Sequence, residues 1–145
     1  MGRDALNLGT SCHFRGAWAE LYVAEQATKN NIIVSYPLFT QSKYDLVFDT
    51  KSGLYKVQVK KATKSSARGN EFIQIRLKST TYKNTMLKYC ENDLDFIAMV
   101  YEDKIWMLPY TFIKGHQSMS FSIFSPSYIK LDQYTFDTFI SKYNS

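Results

Sequence analysis

Helical spacing of apolar residues marks the segment HFRGAWAELYVAEQATKN, where Phe14, Trp18, Leu21 and Tyr22 share one stripe and Ala24 and Ala27 are small enough to pack closely. The pattern predicts an amphipathic helix. NIIVSYP follows as a short strand ended by Pro37, and residues 44–49 and 54–61 alternate as a hairpin around Lys51, Ser52 and Gly53. A third strand is expected from Glu71 to Lys78, with Ile73, Ile75 and Leu77 turned to the core and Phe72, Gln74, Arg76 and Lys78 to an exposed face. Thr80 to Tyr89 reads as a short helix or an irregular crossover. DFIAMVYEDKIWMLPY predicts two strands around Glu102 and Asp103, the first apolar enough to be central and buried on both faces. PYTFIKG suggests a helical turn, MSFSIF an edge strand, and YTFDTFISKY a terminal helix with Phe136, Phe139 and Ile140 inward. The order α-β-β-β-β-α-β-β amounts to an α/β fold, a mixed sheet flanked by helices.

Composition narrows the picture. A chain of 145 residues, 45% hydrophobic with ten Phe and eleven Tyr, suits one domain over residues 1–145 with a real core. No apolar run reaches the eighteen or so residues of a membrane span, and MGRDALNLGTSCHF has no apolar signal-peptide core. A cytoplasmic location is the expectation. Cys12 and Cys90 fall in no zinc spacing and read as reduced thiols, while His13 and His116 are too few for a His-rich metal cluster or an HNH-type nuclease.

Charge adds more than the net +5 suggests. Residues 60–88 hold Lys60, Lys61, Lys64, Arg68, Arg76, Lys78, Lys83 and Lys88 against Glu71 alone, so the rest of the chain is slightly acidic. Such a block is either a polyanion-binding face, favoured by counterion release, or an ordinary solvated lysine-rich surface.

The hairpin carries the candidate chemistry. Asp45 opens its first strand, and Gln58 and Lys60 stand two apart on the second, so both project from one face while Tyr55, Val57 and Val59 take the other. Three polar groups therefore converge at one end of a hairpin, where they must meet solvent, a ligand or a partner.

GAWAELYVAEQA, YDLVFD and LYKVQVKKA together resemble the group I intron-encoded homing endonucleases of the PD-(D/E)XK fold, over residues 16–61, and DFIAMVYEDKIWMLP is similar to that family's central strand and hairpin. The resemblance implies a restriction-endonuclease-like core and hydrolysis of a DNA phosphodiester. Carried over by motif position, Glu20 is the helix carboxylate, Asp45 the motif Asp, Gln58 its second position and Lys60 its lysine. Gln58 departs from the Asp or Glu of the superfamily at large and removes one negative charge, which Glu20 restores. Asp45, Glu20 and the Val59 carbonyl are then the expected ligands of Mg²⁺ or another divalent cation, with Lys60 placed for the attacking water and the charge that builds on phosphorus. Asp49 and Glu25 are expected at the surface.

Sequence reading is expected elsewhere. Gln74, Arg76 and Lys78 suit base edges in the major groove, and Lys61, Lys64 and Arg68, in the preceding loop, suit phosphates. The implied partner is double-stranded DNA. One nuclease centre per chain implies a homo-oligomer on a partly palindromic target, its subunit contact sought among Phe121, Phe124, Tyr128, Tyr134, Phe136 and Phe139. A Holliday junction resolvase and a non-catalytic DNA-binding module are the alternatives; an acid at position 58 would have favoured the first, and absence of metal-dependent nicking would favour the second.

Overall fold

The computed structural model describes residues 12–80, 86–122 and 130–145, with backbone alone for 12–13, 78–80 and 86–88. Helix α1 (Cys12–Lys29) comes first. It stops where Asn31 adopts a φ of 65°, with Ile32 N donating to Ala27 O and Asn31 N to Thr28 O, both at 3.0 Å. This left-handed cap satisfies the last carbonyls and swings Ile32 into the core.

Strands β1 (Ile33–Ser35), β2 (Leu46–Thr50) and β3 (Gly53–Lys61) are followed by β4 (Thr63–Ala67), β5 (Asn70–Arg76), β6 (Lys78–Thr80) and β7 (Met86–Lys88). Next come β8 (Phe96–Tyr101) and β9 (Lys104–Pro109), the short helix α2 (Tyr110–Ile113), β10 (Ser118–Ser122), a 3₁₀ turn at Leu131–Tyr134 and helix α3 (Phe136–Tyr143). A five-stranded sheet runs β1-β2-β3-β8-β9. Its β3–β8 pair is parallel and the others antiparallel, so it is the expected mixed sheet.

The expected third strand is not part of that sheet. It is β5, the centre of a separate three-stranded antiparallel sheet ordered β10-β5-β4. Residues 63–67, expected as loop, pair with β5 through a two-residue turn in which Arg68 and Gly69 have φ of 53° and 79°. A primed turn of this kind matches the twist of the strands it joins. Lys78–Thr80 and Met86–Lys88 likewise form a two-stranded ladder, and residues 81–85 of the segment expected as a short helix or irregular crossover lie outside the described residues. β10 is the edge strand that its sequence suggested.

β8 is an interior strand, between β3 and β9 and next to the middle of the sheet, and separates two cores. Phe96, Ala98 and Val100 join Ala19, Val23, Leu46, Phe48, Val57 and Phe139 on the helical side. Ile97 and Met99 face the second sheet, where they meet Ile73, Ile75, Leu77, Leu94 and Phe121. Every residue from Phe96 to Val100 is buried, which accounts for the unbroken apolar run of that strand.

Two expectations about packing are corrected. Helix α1 turns Ala19, Val23 and Ala27 inward, while Phe14, Trp18 and Leu21 are 49%, 46% and 65% exposed. A line of small residues four apart lets the helix lie close against β3; a tryptophan in that line would hold it off the sheet. Among the described residues the C-terminal aromatics do not form an outer patch either. Phe121, Phe136 and Phe139 are buried and Tyr134 is packed against the second core, so they fill the single chain; Phe124 and Tyr128 lie outside the described residues. Among the described residues no helix is long and apolar enough to cross a membrane.

Candidate active site

The pairing of β2 with β3 ends at Leu46 and Val57, whereas β3 runs on to Lys61. Beyond Val57 the β2-side edge of β3 has lost its strand, and Asp45 occupies the gap. Its amide donates to Val57 O at 2.9 Å and its Oδ2 accepts from Val59 N at 2.9 Å. The carboxylate thus stands in for the missing ladder partner. The other edge of the same stretch is held by β8, with Gln58 opposite Ile97 and Lys60 opposite Met99. The site is therefore built on a strand that is paired on its other side to the interior of the sheet.

Glu20 arrives from α1 because Ala19, its neighbour, is buried against the sheet. Glu20, Asp45, Gln58 and Lys60 are all half-buried. Glu20 and Lys60 are both close enough to Asp45 to feel its charge. Burial raises the Glu20 carboxyl above its ordinary value, and the charge of Asp45 raises it further. Burial also raises Asp45, against the lowering effects of the Val59 amide and of Lys60. Lys60 is lowered by burial and partly restored by Asp45. Two carboxylates and an ammonium are held in a partly desolvated notch in which Glu20 and Lys60 both feel Asp45.

Gln58 Nε2 lies 3.5 Å from Val59 O. Half a turn of the amide presents Oε1 toward the same point, so residue 58 offers an oxygen without a charge. Among the described residues no three His, Cys, Asp or Glu side chains converge as a metal cluster. The donor set is instead two carboxylates, an amide oxygen and a main-chain carbonyl. These are hard oxygen ligands, and the mutual repulsion of Glu20 and Asp45 is what a small divalent cation would relieve. The residues fit such an ion.

Tyr89 also belongs to the site, although no spacing in the sequence pointed to it. It is 9% exposed, and Lys60 Nζ lies over its ring, 5.8 Å from the centroid. Burial and the charges of Asp45 and Asp93 push its phenol up to about 12. Asp49 is exposed, and Glu25 is exposed and paired with Lys29 at 3.1 Å, so both are surface residues as expected.

The expected DNA-reading residues divide. Ile73, Ile75 and Leu77 are buried, so Gln74 and Arg76 do face outward. Strand register sets Thr63 and Ser120 on either side of Gln74, with Ser118 beside Arg76, on that same outer face. Lys64 is not in a loop: it lies on β4 opposite Ile73, on the other face from Gln74, and pairs with Glu71 at 3.2 Å. Lys61 ends β3 with Nζ over the Trp18 ring at 5.1 Å, and Arg68 sits in the exposed β4–β5 turn. Lys78 opens β6, and its side chain lies outside the described residues.

Comparison with known proteins agrees with this geometry. Residues 10–128 match a family model described as PD-(D/E)XK endonuclease. Over 107 residues, 74% of the chain and 87% of the relative, the sequence is 35% identical to Protein 5.3 of Escherichia phage T7. The fold is similar to that of a bacterial homing endonuclease, I-Ssp6803I, with a TM-score of 0.71 and 27% identity, covering 91% of this chain and 95% of that one.

Proposed function

The chain belongs to the PD-(D/E)XK endonuclease family, and we propose that it cuts double-stranded DNA at a long, partly palindromic site using Mg²⁺. The observation that carries the reading is the convergence of Asp45, Glu20 and Lys60 at the edge of β3, where Asp45 replaces a strand partner.

Asp45, Glu20 and the Val59 carbonyl would hold the cation, with Gln58 supplying an uncharged oxygen beside them. When bound, the cation neutralises charge on the scissile phosphate and lowers the pKa of a coordinated water. Lys60 carries its ammonium into the same notch and stabilises the charge that develops on the phosphate oxygens. Asp45 and Glu20 also turn the notch negative, which opposes entry of phosphate until the cation is present.

Recognition is assigned to the outer face of the second sheet. Arg76 and Gln74 have the donors and acceptors that pair with guanine and adenine in the major groove, and Thr63, Ser118 and Ser120 beside them are short enough for close approach. Lys61, Lys64 and Arg68 are assigned to phosphate contacts, and Lys78, further along the chain, to the same DNA. Such a row favours a linear target over a branched junction.

One chain carries one centre, so concerted cutting of both strands needs two centres related by a two-fold axis; a homo-oligomer follows. A chain that resembles a homing endonuclease in 91% of its length is assigned the same task, cutting a long site to promote intron homing.

Cleavage selection from a random duplex library with Mg²⁺ tests the reading. A single enriched site with internal symmetry is expected, and light scattering should show an oligomer. Binding without cutting in Mg²⁺ or Mn²⁺, or preferential cutting of four-way junctions, would overturn it.

A further inference from the structure

We propose that Tyr89 is a positioning residue for cleavage: its ring face seats the Lys60 ammonium next to Asp45, so that the lysine meets the scissile phosphate already oriented. The inference rests on the nuclease reading above. A lysine side chain has a flexible four-carbon stem whose ordering costs rotamer entropy. Lys60 needs a seat if it is to act at one point in space, and its Nζ lies over the Tyr89 ring at 5.8 Å.

The choice of a ring has a chemical reason. A second carboxylate would hold the ammonium by taking up its N–H groups and cancelling its charge. The negative face of an aromatic ring attracts the cation while accepting none of its hydrogen bonds, which leaves the N–H donors for water and phosphate oxygen.

The ring is itself held to the strand that carries Lys60. Tyr89 packs in the second core with Ala62, Ile97 and Met99. The residues after it close a turn in which Cys90 N donates to Asp93 Oδ2 at 2.7 Å and Asp93 N to Cys90 O at 3.0 Å. Asp95 then clasps β3: its amide donates to Lys56 O at 2.9 Å and its Oδ2 accepts from Lys56 N at 2.7 Å. Lys56 and Lys60 are on one strand, so ring and ammonium share one frame. Tyr89 also directly follows β7, the second strand of a ladder within the basic block.

Single-turnover cleavage, DNA affinity without divalent cation, and NMR of the Lys60 ε-methylene test the proposal together. In the wild-type chain the ε-methylene protons should be displaced upfield of their random-coil position by the ring, a result that needs neither cleavage nor a variant. Tyr89→Phe keeps the ring and should cut within about twofold of wild type. Tyr89→Leu fills the core without a ring and should cut roughly tenfold more slowly, the scale of a partly desolvated cation–π contact. Its DNA affinity should stay within twofold, and the upfield displacement should vanish. Wild-type cleavage by Tyr89→Leu, equal loss in Tyr89→Phe, or an unshifted methylene in the wild type would overturn the proposal. If the wild-type chain cuts no duplex, the nuclease reading itself fails, and the methylene shift still judges whether the ring seats the lysine.

Discussion

Asp45 and Val59 are joined by a 2.9 Å hydrogen bond in which a side-chain carboxylate accepts the amide that a neighbouring strand would otherwise take. The bond fixes the carboxylate where β2 ends and β3 continues, and it places the Val59 carbonyl, Gln58 and Lys60 around one point. The candidate site is thus a defect in a β-ladder, filled by an acid.

Asp45→Asn keeps an acceptor for the Val59 amide and removes the charge. Cleavage under single-turnover conditions should fall by at least about 10²-fold, the scale of losing one preorganised electrostatic group, with DNA affinity within tenfold of wild type. Lys60→Ala should behave in the same way. A wild-type rate in either variant would place the chemistry elsewhere.

Arg76→Ala should cost about 1–3 kcal/mol of binding and relax base preference at one position of each half-site. Lys64→Ala should weaken all sequences alike and lower the salt slope by about one unit. Titrations of matched and mismatched duplexes at several salt concentrations separate the two. Equal, sequence-independent losses would remove the outer face of the second sheet from readout.

Glu20→Gln should stabilise the protein at neutral pH while abolishing cleavage. Burial and Asp45 both raise the folded-state pKa of Glu20 above its ordinary value of 4.5. The folded state therefore binds the proton more tightly, and stability falls as pH rises from that ordinary value through the raised one. A neutral glutamine escapes this loss. Its melting temperature should exceed wild type at pH 8 and coincide with it below pH about 4, where both side chains are uncharged. A lower melting temperature at pH 8 would contradict the strain assigned to the carboxylate pair.

Asn144 ties three distant segments together, donating to Asn30 O at 2.9 Å and accepting from Lys51 N at 3.0 Å, while Tyr143 O accepts from Ser52 N at 3.1 Å. At 7% exposure its loss leaves a donor and an acceptor poorly satisfied. Asn144→Ala should lower unfolding free energy by about 1–2 kcal/mol in urea, with cleavage at moderate denaturant-free temperatures unchanged. An unchanged midpoint would show that water replaces both bonds.

Alternation made β3 and β5 legible, because strand periodicity is a local property that survives in any sheet able to bury one face, and β8 and β9 were legible instead as short unbroken apolar runs. The outward placing of Gln74 and Arg76 followed from the same rule. β4 was not legible as a strand: TKSSA has no apolar member beyond its last alanine, and its pairing is imposed by the Arg68–Gly69 turn and by β5. The inner face of α1 was misjudged for a related reason. Trp18 and Leu21 have the larger transfer energy, but the distance between helix and sheet is set by what fits, and Ala19, Val23 and Ala27 fit closer.

The sequence by itself determined the mixed α/β core, the β2–β3 hairpin and the spacing of Asp45, Gln58 and Lys60 on it, together with the basic block of residues 60–88. These depend on neighbours within a few positions. Only the tertiary structure decided that β5 leaves the main sheet, that Glu20 reaches Asp45 across 25 positions of chain, and that Tyr89 lies under Lys60. Contacts between residues so far apart depend on the packing of whole layers, where shape and depth of burial choose among arrangements that periodicity leaves equivalent.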